Sequence, residues 1–205
     1  VEAGTGLRVA VNSSGRHLQQ GDLVADVRHA LEVSGLDAGD LVIELTESTI
    51  MQNTEVNLER FRELKALGVR LAIDDFGMGY SSLSYLHRFP IDILKIDRAF
   101  VSRLTEHDGG PELARAVVML ATTLGLETVA EGIENESQVA TLLDLGCVAG
   151  QGFLFASSSL LDVVAQTPFM ARRADLRAAE RAGQADLTAT GRFRAAELWP
   201  RSAAG

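Results

Sequence analysis

The sequence predicts an α/β protein whose parallel strands curl into a barrel. Strand-like and helix-like segments alternate along the chain with short connections, the pattern of a parallel sheet covered by helices. Five strand-like segments, LRVAVN, LVIELTE, VRLAIDD, IDILKID and ETVAEG, end in polar residues: Asn12, Glu44, Asp74-Asp75, Lys95 and Glu131. Within these segments a period of two sets the acidic or amide group opposite the bulky aliphatics. Leu41, Ile43 and Leu45 share one face of LVIELTE, while Val42, Glu44 and Thr46 share the other. Likewise Asn12 shares a face with Ala10, and Asp74 with Ala72. An open doubly wound sheet would give nearly continuous apolar strands. A barrel instead packs its aliphatic face on helices and turns the small or polar face inward.

Each element follows from local signals. A strand is expected over 7–12, then a helix over 19–35 ending at Gly35. Next come a strand over 41–46 and a helix over about 53–67 closed by Gly68. A strand over 69–74 runs into the glycine-rich loop FGMGYSS, with a helical turn around Ser82–His87. Pro90 precedes a strand over 91–96, and a helix over 112–125 stops at Gly125. A strand over 127–131, a helix over 135–145 and a short strand near 147–150 complete the repeat. The domain is expected to occupy residues 1–166. From Thr167 the chain turns rich in Ala and Arg, and 167–205 reads as a tail, partly helical or disordered.

Composition narrows the function. The 205 residues carry a net charge of −9, which argues against a bulk nucleic-acid binder with a basic stripe. An acidic protein still binds a small anion where metal ions reverse the field of its pocket. Cys147 is the one cysteine, so no internal disulfide forms, and a reducing, cytoplasmic setting is expected. His17, His29, His87 and His107 have no zinc-type spacing. No apolar run is long enough to cross a bilayer. The chain opens at Val1 in the approach to a strand, which suggests a piece of a longer protein, with any membrane attachment lying upstream.

The strand ends carry the chemistry. In a barrel of parallel strands, these ends converge on one rim, where active sites are built. Oxygen ligands with one lysine and no histidine point to hard divalent cations acting on phosphate. Asp74-Asp75 is the strongest local signal: adjacent carboxylates repel, and a cation between them relieves it. A helix N-cap pair is the bland alternative. Glu44, inside an apolar strand, needs a partner, which a buried salt bridge would also supply. Glu47 can accept backbone amides of a neighbouring loop, and Lys95 can pair with Asp97 or Asp92. Glu131 or Glu134 can cap the following helix. Each reading is ambiguous alone; the recurrence at successive strand ends argues for a site.

IELTES, AIDDFGMGYSSLSYLHRFPIDILKIDRAFV, TVAEGIEN and GQGFLF resemble successive signatures of the EAL domain family, over about residues 5–165. The resemblance implies a modified TIM (β/α)8 barrel with one antiparallel strand. It also implies a cyclic di-GMP phosphodiesterase that opens one phosphodiester bond to give linear pGpG. It assigns Asn12, Glu44, Asp74, Asp75 and Glu131 to two Mg²⁺ or Mn²⁺ ions, with Asp75 between them and Asp74 beside it. Ca²⁺ is expected to inhibit. Lys95 would hold the attacking water or the phosphate, and Gln151 would position water. Glu134 would lie behind the ligands, while Glu47 would anchor the loop Phe76–Ser82. Phe76, Gly77, Gly79 and Ser81 of that loop would face substrate, and the loop would couple metal binding to homodimerisation.

Against the family pattern, the strand bearing Glu-Ala-Leu and the antiparallel strand before it are missing. The barrel is therefore expected to be N-terminally truncated, with about six of the eight strands of a full barrel. These 205 residues alone are expected to be impaired, poorly folded or completed by another copy. A receptor that binds cyclic di-GMP without cleaving it, and a dimerisation module, are the alternatives.

Overall fold

The computed structural model describes residues 8–20, 22–52, 54–77, 86–105, 110–147 and 149–155. The tail expected over 167–205 lies outside the described residues, as does most of the helical turn expected around Ser82–His87. Six strands form one sheet: β1 (Val9–Asn12), β2 (Leu41–Thr46), β3 (Arg70–Phe76), β4 (Ile93–Ile96), β5 (Glu127–Ala130) and β6 (Ala149–Gly150). They pair in sequence order, and every pairing is parallel. Because parallel crossovers are right-handed, a sheet that always steps the same way keeps its helices on one side and curls. The result is a half-barrel, as the alternation and the strand parity predict.

Helices α1 (Gly15–Gln20) and α2 (Leu23–Ser34) follow β1, and α3 (Glu47–Met51) and α4 (Thr54–Ala66) follow β2. After β4 come α5 (Arg98–Ser102) and α6 (Gly110–Leu124); α7 (Glu136–Asp144) joins β5 to β6. The helix expected over 19–35 is thus two helices. Ser14 Oγ accepts the amide of His17 at 3.2 Å and starts α1 early, and Asp26 N bonds Asp22 O as α2 begins. The helix expected over 53–67 is preceded by a separate short one. Thr46 Oγ1 accepts the amide of Thr49 there, ending β2 and capping α3. Asn57, fully buried on α4, donates to the carbonyls of Thr49 and Gln52 and fastens the end of α3. Helix α5 has no counterpart in the sequence reading; Asp97 caps it by accepting the amide of Ala99 at 2.7 Å.

Strand parity sorts the residues into an outer and an inner layer. Leu41, Ile43, Leu45, Leu71, Ile73, Leu94 and Ile96 pack outward with Leu58, Phe61, Leu64, Val118 and Ala121 in the main core. Val42, Ala72 and Ile93 form a second cluster, joined by Val129, on the inner face. The inner face is therefore layered. At the amino-terminal rim Arg8 of the approach to β1 and Arg70 of β3 both meet Glu127 of β5, at 3.3 Å and 2.9 Å. The apolar cluster fills the middle. The carboxyl-terminal rim is polar, which is where a barrel builds its chemistry. No helix among the described residues is long and apolar enough to cross a membrane.

Candidate functional site

Register carries the inner-face polar residues to one height. Asn12 pairs with Glu44 across β1 and β2, and Asp74 with Thr46 across β2 and β3. Lys95, on the inner face of β4, pairs with Val129, and Glu131 follows the end of β5, its amide bonded to Ile96 O. Three carboxylates from three strand ends meet on the Lys95 ammonium: Glu44 at 2.7 Å, Asp74 at 3.1 Å, and Glu131. Lys95 is 4 % exposed and Glu44 8 %. Neither Asp92 nor Asp97 takes Lys95: Asp92 binds Lys65 at 2.8 Å, and Asp97 caps α5. Gln151, just after β6, donates to Glu131 Oε1 at 2.8 Å and joins the group.

Around this centre the predicted residues separate into distinct tasks. Glu47, buried at the start of α3, accepts the amide of Gly77 at 2.9 Å and so ties α3 to the loop after β3. Gly77 has φ of +96°, and a Cβ there would sit 2.7 Å from the ring of Phe100, so only glycine fits. Phe76 does not face the rim; it is buried beside Ile50, Met51, Leu86 and Phe89, because β3 runs two residues past its expected end and a register shift between Ile73 and Phe76, with Asp75 at a positive φ, breaks its alternation. Gly79 and Ser81 lie outside the described residues. Asn12 is exposed at the end of β1, beside Glu44 in register. Glu134 pairs with Arg98 at 2.6 Å rather than capping α7, a role taken by Asn135 with Gln138. Asp74 and Asp75 likewise cap no helix among the described residues. Asp74 turns inward to Lys95, while Asp75 holds a left-handed φ of +55° and is exposed.

Charge is out of balance at this rim. Burial pushes the Glu131 carboxyl up, and Asp74 and Glu44 push the same way, against the pull of Lys95. Desolvation, then Asp74 and Asp97, push Asp75 up; since Asp75 is exposed, the two like charges are the firmer cause. Burial alone would lower Lys95, but its hydrogen bonds to Glu131 and Glu44 override that and raise it. Asp97 is the member of this group that the sequence offers only as a partner for Lys95, whereas it stands beside Asp75. Its position two residues after Lys95, at the close of a strand, was the available signal.

The donor set is all oxygen and more negative than its one ammonium can balance, which suits a hard divalent cation. Among the described residues no three carboxylates, imidazoles or thiols stand as a ready metal cage. The ammonium itself holds the point on which Glu44, Asp74 and Glu131 converge. The fit is therefore one of chemistry and direction, with Lys95 inside the cluster.

Known proteins share this arrangement of sequence and fold. The EAL domain model matches residues 2–158. The cyclic di-GMP phosphodiesterase NbdA of Pseudomonas aeruginosa is 45% identical over 150 residues, covering 73% of this chain and 19% of that protein. The cyclic di-GMP phosphodiesterase PdeR of Escherichia coli is 39% identical over 155 residues, covering 76% of this chain and 23% of that protein. The chain thus spans about a fifth of the length of these curated relatives. Among solved structures, the PaMucR phosphodiesterase in complex with c-di-GMP superposes with a TM-score of 0.74 at 41% identity, over 77% of this chain and 64% of that one. The manganese and cy-diGMP complex of Klebsiella pneumoniae BlrP1 superposes with a TM-score of 0.68 at 32% identity, over 73% of this chain and 38% of that one. With its six parallel strands, its polar inner rim and these matches together, the chain belongs to the EAL domain family.

Proposed function

We propose that this chain carries most of a metal-dependent site that hydrolyses cyclic di-GMP to linear pGpG. The observation that carries this reading is the convergence of Glu44, Asp74 and Glu131, from three strand ends, on one buried lysine. Asn12, Glu44, Asp74, Asp75 and Glu131 would hold two Mg²⁺ or Mn²⁺ ions. Of the adjacent aspartates, Asp74 points to the Lys95 centre, while Asp75 is exposed beside it. When bound, such ions neutralise a phosphoryl oxygen and acidify a water that attacks phosphorus. Ca²⁺, with its slack coordination, would bind with little turnover.

The chain's own residues supply the rest. Lys95 places positive charge where the phosphate gains negative charge on the way to the transition state. Gln151, held by Glu131, orients a polar group toward the same place. Glu47 keeps the Gly77 turn, and with it Asp75, at a fixed height above the rim. The soluble domain would work in the cytoplasm, as a homodimer coupled through the loop that starts at Phe76. These 205 residues alone would be impaired, because β1 and β6 each have one neighbour among the described strands.

Turnover of cyclic di-GMP by the purified protein, and by the longer protein that contains it, tests the reading in Mg²⁺ or Mn²⁺. Hydrolysis to pGpG is expected in the longer protein, with a loss of about 10²–10³-fold in Asp74→Ala. Equal rates in the two would remove Asp74 from the reaction. Tight binding of cyclic di-GMP without any turnover would replace the enzyme with a receptor.

A further inference from the structure

A lysine ammonium has three N–H donors and no acceptor. At Lys95 three carboxylates approach it, one each from β2, β3 and the residue after β5. The ammonium is almost wholly withdrawn from solvent, so these carboxylates are its principal surroundings. Removed from them, it would leave three anions turned toward one another with only Gln151 to satisfy Glu131. The arrangement therefore has a structural duty: one cation knits together strand ends that would otherwise repel. A divalent ion performs the same duty with twice the charge, and it repels the ammonium.

We infer that Lys95 is the stand-in cation of the metal-free site: a divalent ion enters by taking Glu44, Asp74 and Glu131 from the ammonium. Lys95 is thereby released toward the phosphate. This rests on the metal-dependent reading given above and adds an order of events to it. The ammonium cannot serve the carboxylates and the substrate at once, since it is buried, hydrogen-bonded to Glu44 and Glu131 and ion-paired with Asp74. Metal occupancy then decides whether Lys95 is committed to the fold or available to the reaction. While Lys95 holds these carboxylates, substrate arriving before metal meets no free cation.

The inference predicts a trade between metal and lysine that can be read without any turnover. Wild-type protein, Lys95→Met and the rim control Arg98→Met are melted in EDTA and in saturating Mn²⁺. Mn²⁺ affinity is taken from the electron paramagnetic resonance signal of the free ion. In EDTA, Lys95→Met should melt about 10 °C below wild type, as expected when a buried ion pair loses one partner. Saturating Mn²⁺ should abolish most of that gap, and Lys95→Met should bind Mn²⁺ at least about tenfold more tightly. Arg98→Met, which removes a cation that pairs with Glu134 instead, should change neither quantity by more than about twofold or 2 °C.

Should Lys95→Met not fold without metal, nuclear magnetic resonance of the wild-type lysine ammonium groups gives the same answer. The Lys95 ammonium protons should be shielded from exchange in EDTA and lose that shielding as Mg²⁺ saturates the site. Equal melting of Lys95→Met and wild type in EDTA overturns the inference, as does an ammonium still shielded at Mg²⁺ saturation. Failure of both proteins to take up Mn²⁺ overturns the metal reading beneath it.

Discussion

Glu44 and Glu47 lie three residues apart, yet one belongs to the inner rim and the other to a loop anchor. The difference is legible in the sequence for Glu44, whose place on the strand alternation sets it beside Val42 on the inner face. For Glu47 the alternation has ended, because Thr46 turns the chain into a helix, and only the structure shows which amide it meets. Glu47→Ala leaves the Gly77 amide without its carboxylate, a loss of about 1–3 kcal/mol. Thermal melting should register that destabilisation, and Mn²⁺ affinity should fall with it; Glu47→Gln, which keeps an acceptor, should recover most of both. Lys95 gives a pH signature. Its folded pKa is raised above the unfolded value, so its contribution to stability is complete below about pH 10. That contribution is lost as pH rises through the folded value. Metal-free wild-type protein should therefore lose melting temperature more steeply than Lys95→Met between about pH 10 and 12. Parallel curves would mean that Lys95 has no raised pKa to lose.

Elements were readable in proportion to their length and periodicity. The strands were clear because a polar residue interrupts each apolar alternation at the same place. The split between α1 and α2 was hidden, since both halves favour helix and the capping hydroxyl of Ser14 lies upstream of the run. Helix α5 spans five residues, too few for a period, and only the N-cap Asp97 announces it. The turn between β5 and α7 shows how tightly these connections are built. Gly132 has φ of +68°, and the stem of Arg98 occupies the space a Cβ would need. Gly132→Ala should cost at least about 1–2 kcal/mol from the left-handed backbone alone. It should also shift Glu131 and lower Mn²⁺ affinity. Calorimetry of the metal-free and metal-loaded variant separates the two effects. An alanine variant that melts and binds like wild type would show that Arg98 yields freely.

The whole molecule divides its inner face between two duties. Below the apolar layer, Arg8 and Arg70 share Glu127 and join β1, β3 and β5 at the amino-terminal rim. Above it, the carboxylates and Lys95 gather. Glu127→Ala breaks a half-exposed pairing and should cost about 1 kcal/mol or less in stability, with Mn²⁺ affinity unchanged. A large loss of metal binding in that variant would mean that the two rims are coupled through the middle layer. The barrel class and the direction of the rim were both legible in the strand parity. The lysine's possession of the carboxylates was not, because alternation sets a side chain's face and height but not which of several opposite charges it meets.

The claim on which everything else depends is that this rim exists to hold divalent cations, and anomalous diffraction from a crystal grown with Mn²⁺ tests it most directly. Manganese density bonded to oxygens of Glu44, Asp74 and Glu131, with the Lys95 ammonium moved out from among them, is the predicted result. No density at that rim under saturating Mn²⁺, with the three carboxylates still closed on Lys95, would contradict the account.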